Sequence, residues 1–88
     1  MTEQELQAII FASLKKVAPE SIPEDLDPDE NFREELDIDS YTFLQMLVHI
    51  GEQTGVEVPE IDYGRVSTLS GMQGYLTARL SSPDSGKL

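Results

Sequence analysis

With 88 residues the chain can build one domain with a single modest core, and with no cysteine it has no disulfide framework, no thiol nucleophile of its own and no cysteine zinc site. Seventeen acids against six bases give a formal charge of −11, which argues against nucleic acid and anionic membrane surfaces and favours basic protein partners. Met1-Thr2-Glu3-Gln4-Glu5 lacks the basic start of a signal peptide, and no apolar stretch approaches the ~20 residues of a membrane span. The expectation is a cytoplasmic monomer with no membrane insertion.

Thr2-Glu3-Gln4-Glu5 fits a capping box, in which the Thr2 hydroxyl and the Glu5 carboxylate each satisfy a free backbone N–H. Leu6, Ile9, Ile10, Leu14 and Val17 then recur at helical spacing. Lys15 and Lys16 suit the negative end of the helix dipole, and Pro19 marks the stop. From Pro19 to Asp39 no period is sustained. Three prolines and ten of the seventeen acids fall in this stretch, with Arg33 the only base, so it is predicted to be a long loop. Ile22, Leu26, Phe32 and Leu36 are expected to pin it to the core. A structureless loop of this length is unusual in a compact domain and points to function.

A second helix is predicted from Asp39 or Ser40, with Asp39 as N-cap and Phe43, Met46, Leu47 and Ile50 forming an i, i+3, i+4, i+7 stripe. Gly55 ends it, and Val56-Glu57-Val58-Pro59 reads as an extended connector. Ile61 to Val66 is predicted to hold one short helical turn. Thr68 caps a last helix carrying Leu69, Met72, Leu76 and Leu80. Gly71 and Gly74 each cost that helix up to about 1 kcal/mol relative to alanine, so it must lean on tertiary packing. The fold class is therefore all-α: a small bundle of three main helices and one short helix over residues 1–80, with a long loop between the first and second helices. Residues 81–88, rich in serine, proline and glycine, are expected to form a disordered tail.

Enzyme readings fail for lack of parts. His49 is the only histidine and lies nine residues beyond Ser40 on the same predicted helix, ~13 Å along its axis at 1.5 Å per residue. It cannot be that serine's general base, and reads as a partly exposed helix residue. Asp25-Leu26-Asp27-Pro28-Asp29 has the opening spacing of a calcium loop, but Glu30 stands where the turn glycine belongs and Leu36 where the bidentate glutamate belongs. Asp37-Ile38-Asp39 resembles a carboxylate pair but has no supporting lysine or further ligand cluster. No metal site is expected.

Ser40 remains. It stands at the mouth of a helix, after the acidic loop, between Asp39 and the bulky Tyr41, so its hydroxyl is sterically open. The positive helix end favours a phosphate there, while the neighbouring acids oppose capture of a free anion. That combination suits an attachment point, where an enzyme reads the acidic surround and leaves a covalent phosphate behind. On spacing alone, Ser40 reads more readily as a residue that merely helps to start the helix, with Asp39 as its cap.

Leu36-Asp37-Ile38-Asp39-Ser40-Tyr41 resembles the signature of the acyl carrier protein family, in which Asp-Ser precedes a large apolar residue at a helix start. Asn31-Phe32-Arg33-Glu34-Glu35-Leu36 is similar to the approach to that motif, Gly55-Val56-Glu57-Val58-Pro59 to the connector, and Val66-Ser67-Thr68-Leu69 through Tyr75-Leu76 to the final helix. The resemblance implies a carrier protein, not an enzyme, with 4′-phosphopantetheine esterified to Ser40 by a phosphopantetheinyl transferase using coenzyme A. The arm would hold acyl intermediates as thioesters for partner enzymes in a specialised fatty-acid, lipid or polyketide-type pathway. Aliphatic cargo can fold back between the helices in this family, which would place Phe43, Leu47, Ile61, Val66, Leu69 and Met72 around a cavity.

The chain departs from the family at Asp37, where glycine is usual, and at Tyr41, where leucine is usual. The exposed face of its second helix reads Tyr41, Thr42, Leu44, Gln45, Val48, with Glu52 its only acid. Docking is therefore expected through an apolar patch of Tyr41, Leu44 and Val48 beside Gln45, rimmed by Asp37, Asp39 and Glu52, on partners with basic or apolar surfaces. The alternatives are a carrier of aminoacyl or aryl groups and an unmodified acidic interaction module.

Overall fold

A computed structural model of the protein describes residues 1–80; the expectation of a disordered tail at 81–88 lies outside the described residues. The order of elements is α1 (Glu3–Val17), a 3-10 turn (Pro23–Asp25), α2 (Phe32–Glu35), α3 (Ser40–Thr54), a 3-10 helix (Glu60–Val66) and α4 (Leu69–Leu80). The all-α class is as expected.

The helix ends follow their local chemistry. The Thr2 hydroxyl accepts from Glu5 N–H at 3.0 Å while Thr2 N–H donates to the Glu5 carboxylate at 2.8 Å, which completes the capping box. Asp39 caps α3 by accepting from Thr42 N–H at 2.8 Å, and Gly55 closes that helix in the left-handed conformation, φ 79°. Thr68 accepts from Gly71 N–H at 2.9 Å at the start of α4.

Two parts of the sequence reading need correction in the long loop. It is not irregular throughout, because it contains the 3-10 turn and α2. A four-residue helix is too short to express a 3.6-residue period. Its start was nevertheless written in Asn31, whose side-chain oxygen accepts from Arg33 N–H at 2.9 Å and Glu34 N–H at 3.2 Å. Of the four residues expected to pin the loop, Phe32 is fully in the core and Leu26 and Leu36 pack at its edge, but Ile22 is exposed and the neighbouring Pro23 is buried instead.

The core joins Leu6, Ile10 and Leu14 of α1, Phe43, Met46, Leu47 and Ile50 of α3, and Leu69, Met72 and Leu76 of α4 around Phe32. Tyr75 joins them, while Leu80 lies at the surface. At Gly71 α4 comes close to the 3-10 helix before it: a Cβ there would stand 2.6 Å from the Arg65 carbonyl oxygen. The tertiary packing that repays this glycine's helix cost is therefore that contact.

Two polar ties hold elements far apart in sequence. Ser13, buried in α1, donates to the Ile9 carbonyl at 2.8 Å and pairs with His49 Nδ1 of α3 across 2.6 Å. His49 is half-buried, as its sequence position implied, and serves as an interhelix strut. Asp62 of the 3-10 helix accepts from the Tyr75 hydroxyl at 2.7 Å and meets Arg79 at 3.4 Å, clasping that helix to α4.

Candidate functional site

Ser40 is the first residue of α3, directly after its cap Asp39, and it is exposed. Its hydroxyl engages no hydrogen-bond partner among the described residues, so the oxygen is open to solvent and to an approaching enzyme. The approach is shaped by a sharp backbone turn. Among the described residues Asp37 is the single non-glycine with positive φ, 55°, and the chain thereby swings from α2 into the cap of α3. Ile38, buried between the two aspartates, anchors the turn, so Asp37 and Asp39 both face outward on either side of a fixed point.

The charge of the site is set by the same contacts. The hydrogen bond from Thr42 N–H holds the Asp39 carboxyl below the usual aspartate range, with a smaller contribution from the nearby Arg33 guanidinium. Asp39 is therefore ionised wherever the domain functions near neutrality. Arg33 itself lies with its guanidinium carbon 4.3 Å from the centre of the Phe43 ring. Its Nε is buried without a hydrogen-bond partner, which leaves the stacking and the Asp39 charge as what holds it. Composition had marked Arg33 only as the lone base in the acidic stretch; its place over the first turn of α3 depends on α2.

Of the expected recognition residues, Tyr41, Leu44, Gln45, Val48 and Glu52 lie on α3, while Asp39 caps it and Asp37 sits in the turn before it. Tyr41, Leu44 and Val48 are 69, 44 and 53 % exposed, a large apolar display for so charged a chain. Gln45 donates to the Tyr41 hydroxyl at 3.2 Å and steadies the ring against the helix. Below Leu44 and Val48 runs an open groove of about 540 Å³, walled by Leu47, the Gly55–Val58 connector and Tyr63, with Glu52 on its lip. Tyr63 was not singled out in the sequence. It meets Phe43 edge-on at 5.5 Å between ring centres, and only the folding-back of the 3-10 helix brings the two together.

Five of the six residues expected around an acyl cavity lie in the common core, at different depths. Phe43, Val66 and Met72 are sealed in the core at 0 % exposure. Leu47 borders the groove beside α3, and Leu69 borders a different groove between α1 and α4. Ile61 must be struck from the set, because it is 89 % exposed. The family resemblance had placed it beside Val66, but the two residues, five apart in the 3-10 helix, face different sides, and Val66 is the one turned inward.

Comparison with known proteins shows the family of the chain. A family model described as the phosphopantetheine attachment site matches residues 6–76, which includes Ser40 and most of the chain. The chain belongs to the acyl carrier protein family. It is 28% identical over 72 residues to the acyl carrier protein of Renibacterium salmoninarum, a match covering 78% of this chain and 89% of that one. It is 26% identical over 76 residues to the meromycolate extension acyl carrier proteins of Mycobacterium tuberculosis and Mycobacterium bovis, covering 86% of this chain. The match spans only 65% of those mycobacterial relatives.

The cofactor of the family is 4′-phosphopantetheine. The exposed, unengaged hydroxyl at a helix start would fit a phosphodiester link: nothing must be displaced to reach it, and the positive end of α3 lies beside it. Members of the family are served by phosphopantetheinyl transferases and by acyl-processing enzymes. Among the described residues no helix is long and apolar enough to cross a membrane, and no group of three or more His, Cys, Asp or Glu side chains is placed to hold a metal ion.

Proposed function

We propose that Ser40 is the attachment residue, and that the carrier holds acyl intermediates as thioesters and hands them to enzymes of a specialised fatty-acid, lipid or polyketide-type pathway in the cytoplasm, as a monomer. The observation that carries this is the open Ser40 hydroxyl at the first position of α3, within the matched segment. Ser40 would hold the arm through its side-chain oxygen, which would give up its proton and bond to phosphorus as the pyrophosphate P–O bond of coenzyme A breaks and the nucleotide leaves. The arm supplies the thiol that a chain without cysteine lacks. The protein's part is positional. Asp39 fixes the start of α3, the turn at Asp37 presents the serine, and the rest of the bundle keeps the helix rigid while cargo moves.

Partner recognition uses the α3 face. Tyr41, Leu44 and Val48 form its apolar centre, Gln45 orients Tyr41, and Asp37, Asp39 and Glu52 supply charge at its two ends. Fully desolvated apolar anchors ringed by charge are the arrangement in which a few side chains dominate binding. A carrier of this kind suits partners that combine an apolar pocket with basic neighbours, which the dense acidity of other carriers would not select. If aliphatic cargo is sheltered, the groove walled by Leu47 and Tyr63 is the opening that adjoins this face.

The test is an intact-mass spectrum after incubation with coenzyme A, magnesium and a promiscuous phosphopantetheinyl transferase, with Ser40→Ala alongside. A gain of one phosphopantetheine that the variant lacks is expected. No gain from a broad panel of transferases, on protein shown to be folded, would turn the reading to an unmodified acidic interaction module. Cargo follows from loading assays: transfer of aminoacyl or aryl groups in preference to acyl groups would identify the alternative class of carrier.

A further inference from the structure

A second groove, of about 550 Å³, lies away from α3, and none of the residues lining it comes from that helix. Its floor is apolar: Ile10 and Leu69 are buried beneath it, while Phe11 and Leu26 are only half covered. Its rim is polar and acidic, with Glu3, Gln7, Glu24 and Gln73 among the residues at its edge and no lysine or arginine lining it. The walls are tied in place. Ser70 N–H donates to the Pro28 carbonyl at 2.9 Å and the Ser70 hydroxyl to the Asp29 carboxylate at 2.9 Å, which locks the loop to α4. Gln73 donates to the Glu3 carbonyl at 3.1 Å and joins α4 to the first turn of α1.

We propose that this groove is a second docking surface, taking an amphipathic segment of a protein partner whose apolar side chains are flanked by lysine or arginine. The charge decides the occupant. Glu3 and Glu24 stand at the groove, and the acids of the 20–30 segment continue beyond it, so an acidic or neutral segment gains nothing here and a basic one is steered in. The half-covered Phe11 and Leu26 offer the apolar contact that charge alone lacks, in a groove whose size lies within the roughly 300–1,000 Å³ of ordinary binding sites. The glutamine amides at the edge can donate to and accept from an incoming backbone. A partner held here leaves α3 and Ser40 uncovered, so the carrier can be retained by one protein while another acts on its arm. This goes beyond the Ser40 reading and does not depend on it.

The experiment uses the full chain labelled with ¹⁵N and a synthetic helical peptide of about 14 residues, with leucines at i, i+3, i+4 and i+7 and lysines between them. The control peptide has the same composition with the leucines spread around the helix. The amphipathic peptide is expected to shift the amides of Gln7, Phe11, Leu26 and Gln73 and to bind about tenfold more tightly than the control. Gln7 and Glu24 are both exposed, so the Gln7→Lys/Glu24→Lys double variant keeps the melting curve near that of the parent while its affinity falls about tenfold. Binding at the groove is expected to be the same in Ser40→Ala, which separates this proposal from the attachment site. Shifts centred on Tyr41, Leu44 and Val48, equal affinity for the two peptides, an unaffected double variant, or no saturable binding would each overturn it.

Discussion

At Asp37 the backbone carries a left-handed φ of 55°, a conformation that costs most side chains roughly 1–2 kcal/mol and that aspartate tolerates better than β-branched residues. The family's usual glycine at this position removes that cost. Asp37→Gly is therefore expected to raise stability by up to about 1 kcal/mol, and Asp37→Val to lower it by roughly 1–2 kcal/mol, both read from the urea midpoint. Tyr75 makes a second residue-scale prediction. Burial raises its phenol above the ordinary tyrosine range, and its hydrogen bond to Asp62 raises it further. A group whose folded pKa is raised stabilises the fold below its unfolded pKa and loses that contribution as pH climbs through the folded one. Stability should then fall above about pH 10, the unperturbed tyrosine value, and Tyr75→Phe should flatten the fall while costing about 1 kcal/mol at neutral pH for the lost hydrogen bond. Urea titrations of both proteins from pH 8 to pH 11 check it, and parallel curves would dismiss the assignment.

Among the elements, α4 has two glycines that sequence treats alike and structure separates. At Gly71 a Cβ would stand 2.6 Å from the Arg65 carbonyl oxygen and 2.9 Å from the Thr68 hydroxyl that caps the helix. At Gly74 nothing lies within 4 Å. Alanine gains about 1 kcal/mol of helix propensity at either site, but at Gly71 it must push the first turn of α4 away from the 3-10 helix, at roughly 1–3 kcal/mol. Gly74→Ala should raise the melting temperature and Gly71→Ala should lower it. The two faces of α3 divide in the same way. Phe43→Ala empties a sealed position and is expected to cost about 3–5 kcal/mol. Leu44→Glu and Val48→Glu alter exposed positions, so thermal melts should move little while acyl transfer to the true partner is lost; unchanged transfer would remove these residues from the docking face.

For the molecule as a whole, charge is the dominant property. A formal −11 on one small domain repels itself, and the Debye length of about 30 Å at 0.01 M salt spans such a domain, whereas about 8 Å at 0.15 M does not. The melting temperature of the unmodified protein should rise with sodium chloride across this range. A flat response would mean that the acids are spaced widely enough on the folded surface to leave the repulsion unimportant. The same field serves function at physiological salt, where it still speeds encounters with basic partners at short range.

Much of the bundle was legible because its signals are local. Helix periods, the Thr2–Glu5 box, the Asp39 and Thr68 caps and the Gly55 stop each act within a few residues, so chain order alone placed α1, α3 and α4 and put Ser40 at the head of α3. α2 escaped because one turn has no period, although Asn31 marked its start. The Ser13–His49 strut, the Asp62–Tyr75 clasp and the edge contact of Tyr63 with Phe43 had no sequence signature, and neither did the groove tied by Gln73 to Glu3, a contact spanning 70 positions. Ile61 went wrong for a related reason: which side of the short 3-10 helix meets the core depends on how that helix docks on α4, and so short an element has no period to show it. Sequence by itself determined where α1, α3 and α4 begin and end and that Ser40 heads α3, because those are choices between neighbouring atoms. Tertiary packing decided which apolar residues are sealed, which remain as grooves and how the loop is held, because only close packing of distant segments selects among faces that the chain alone leaves equivalent.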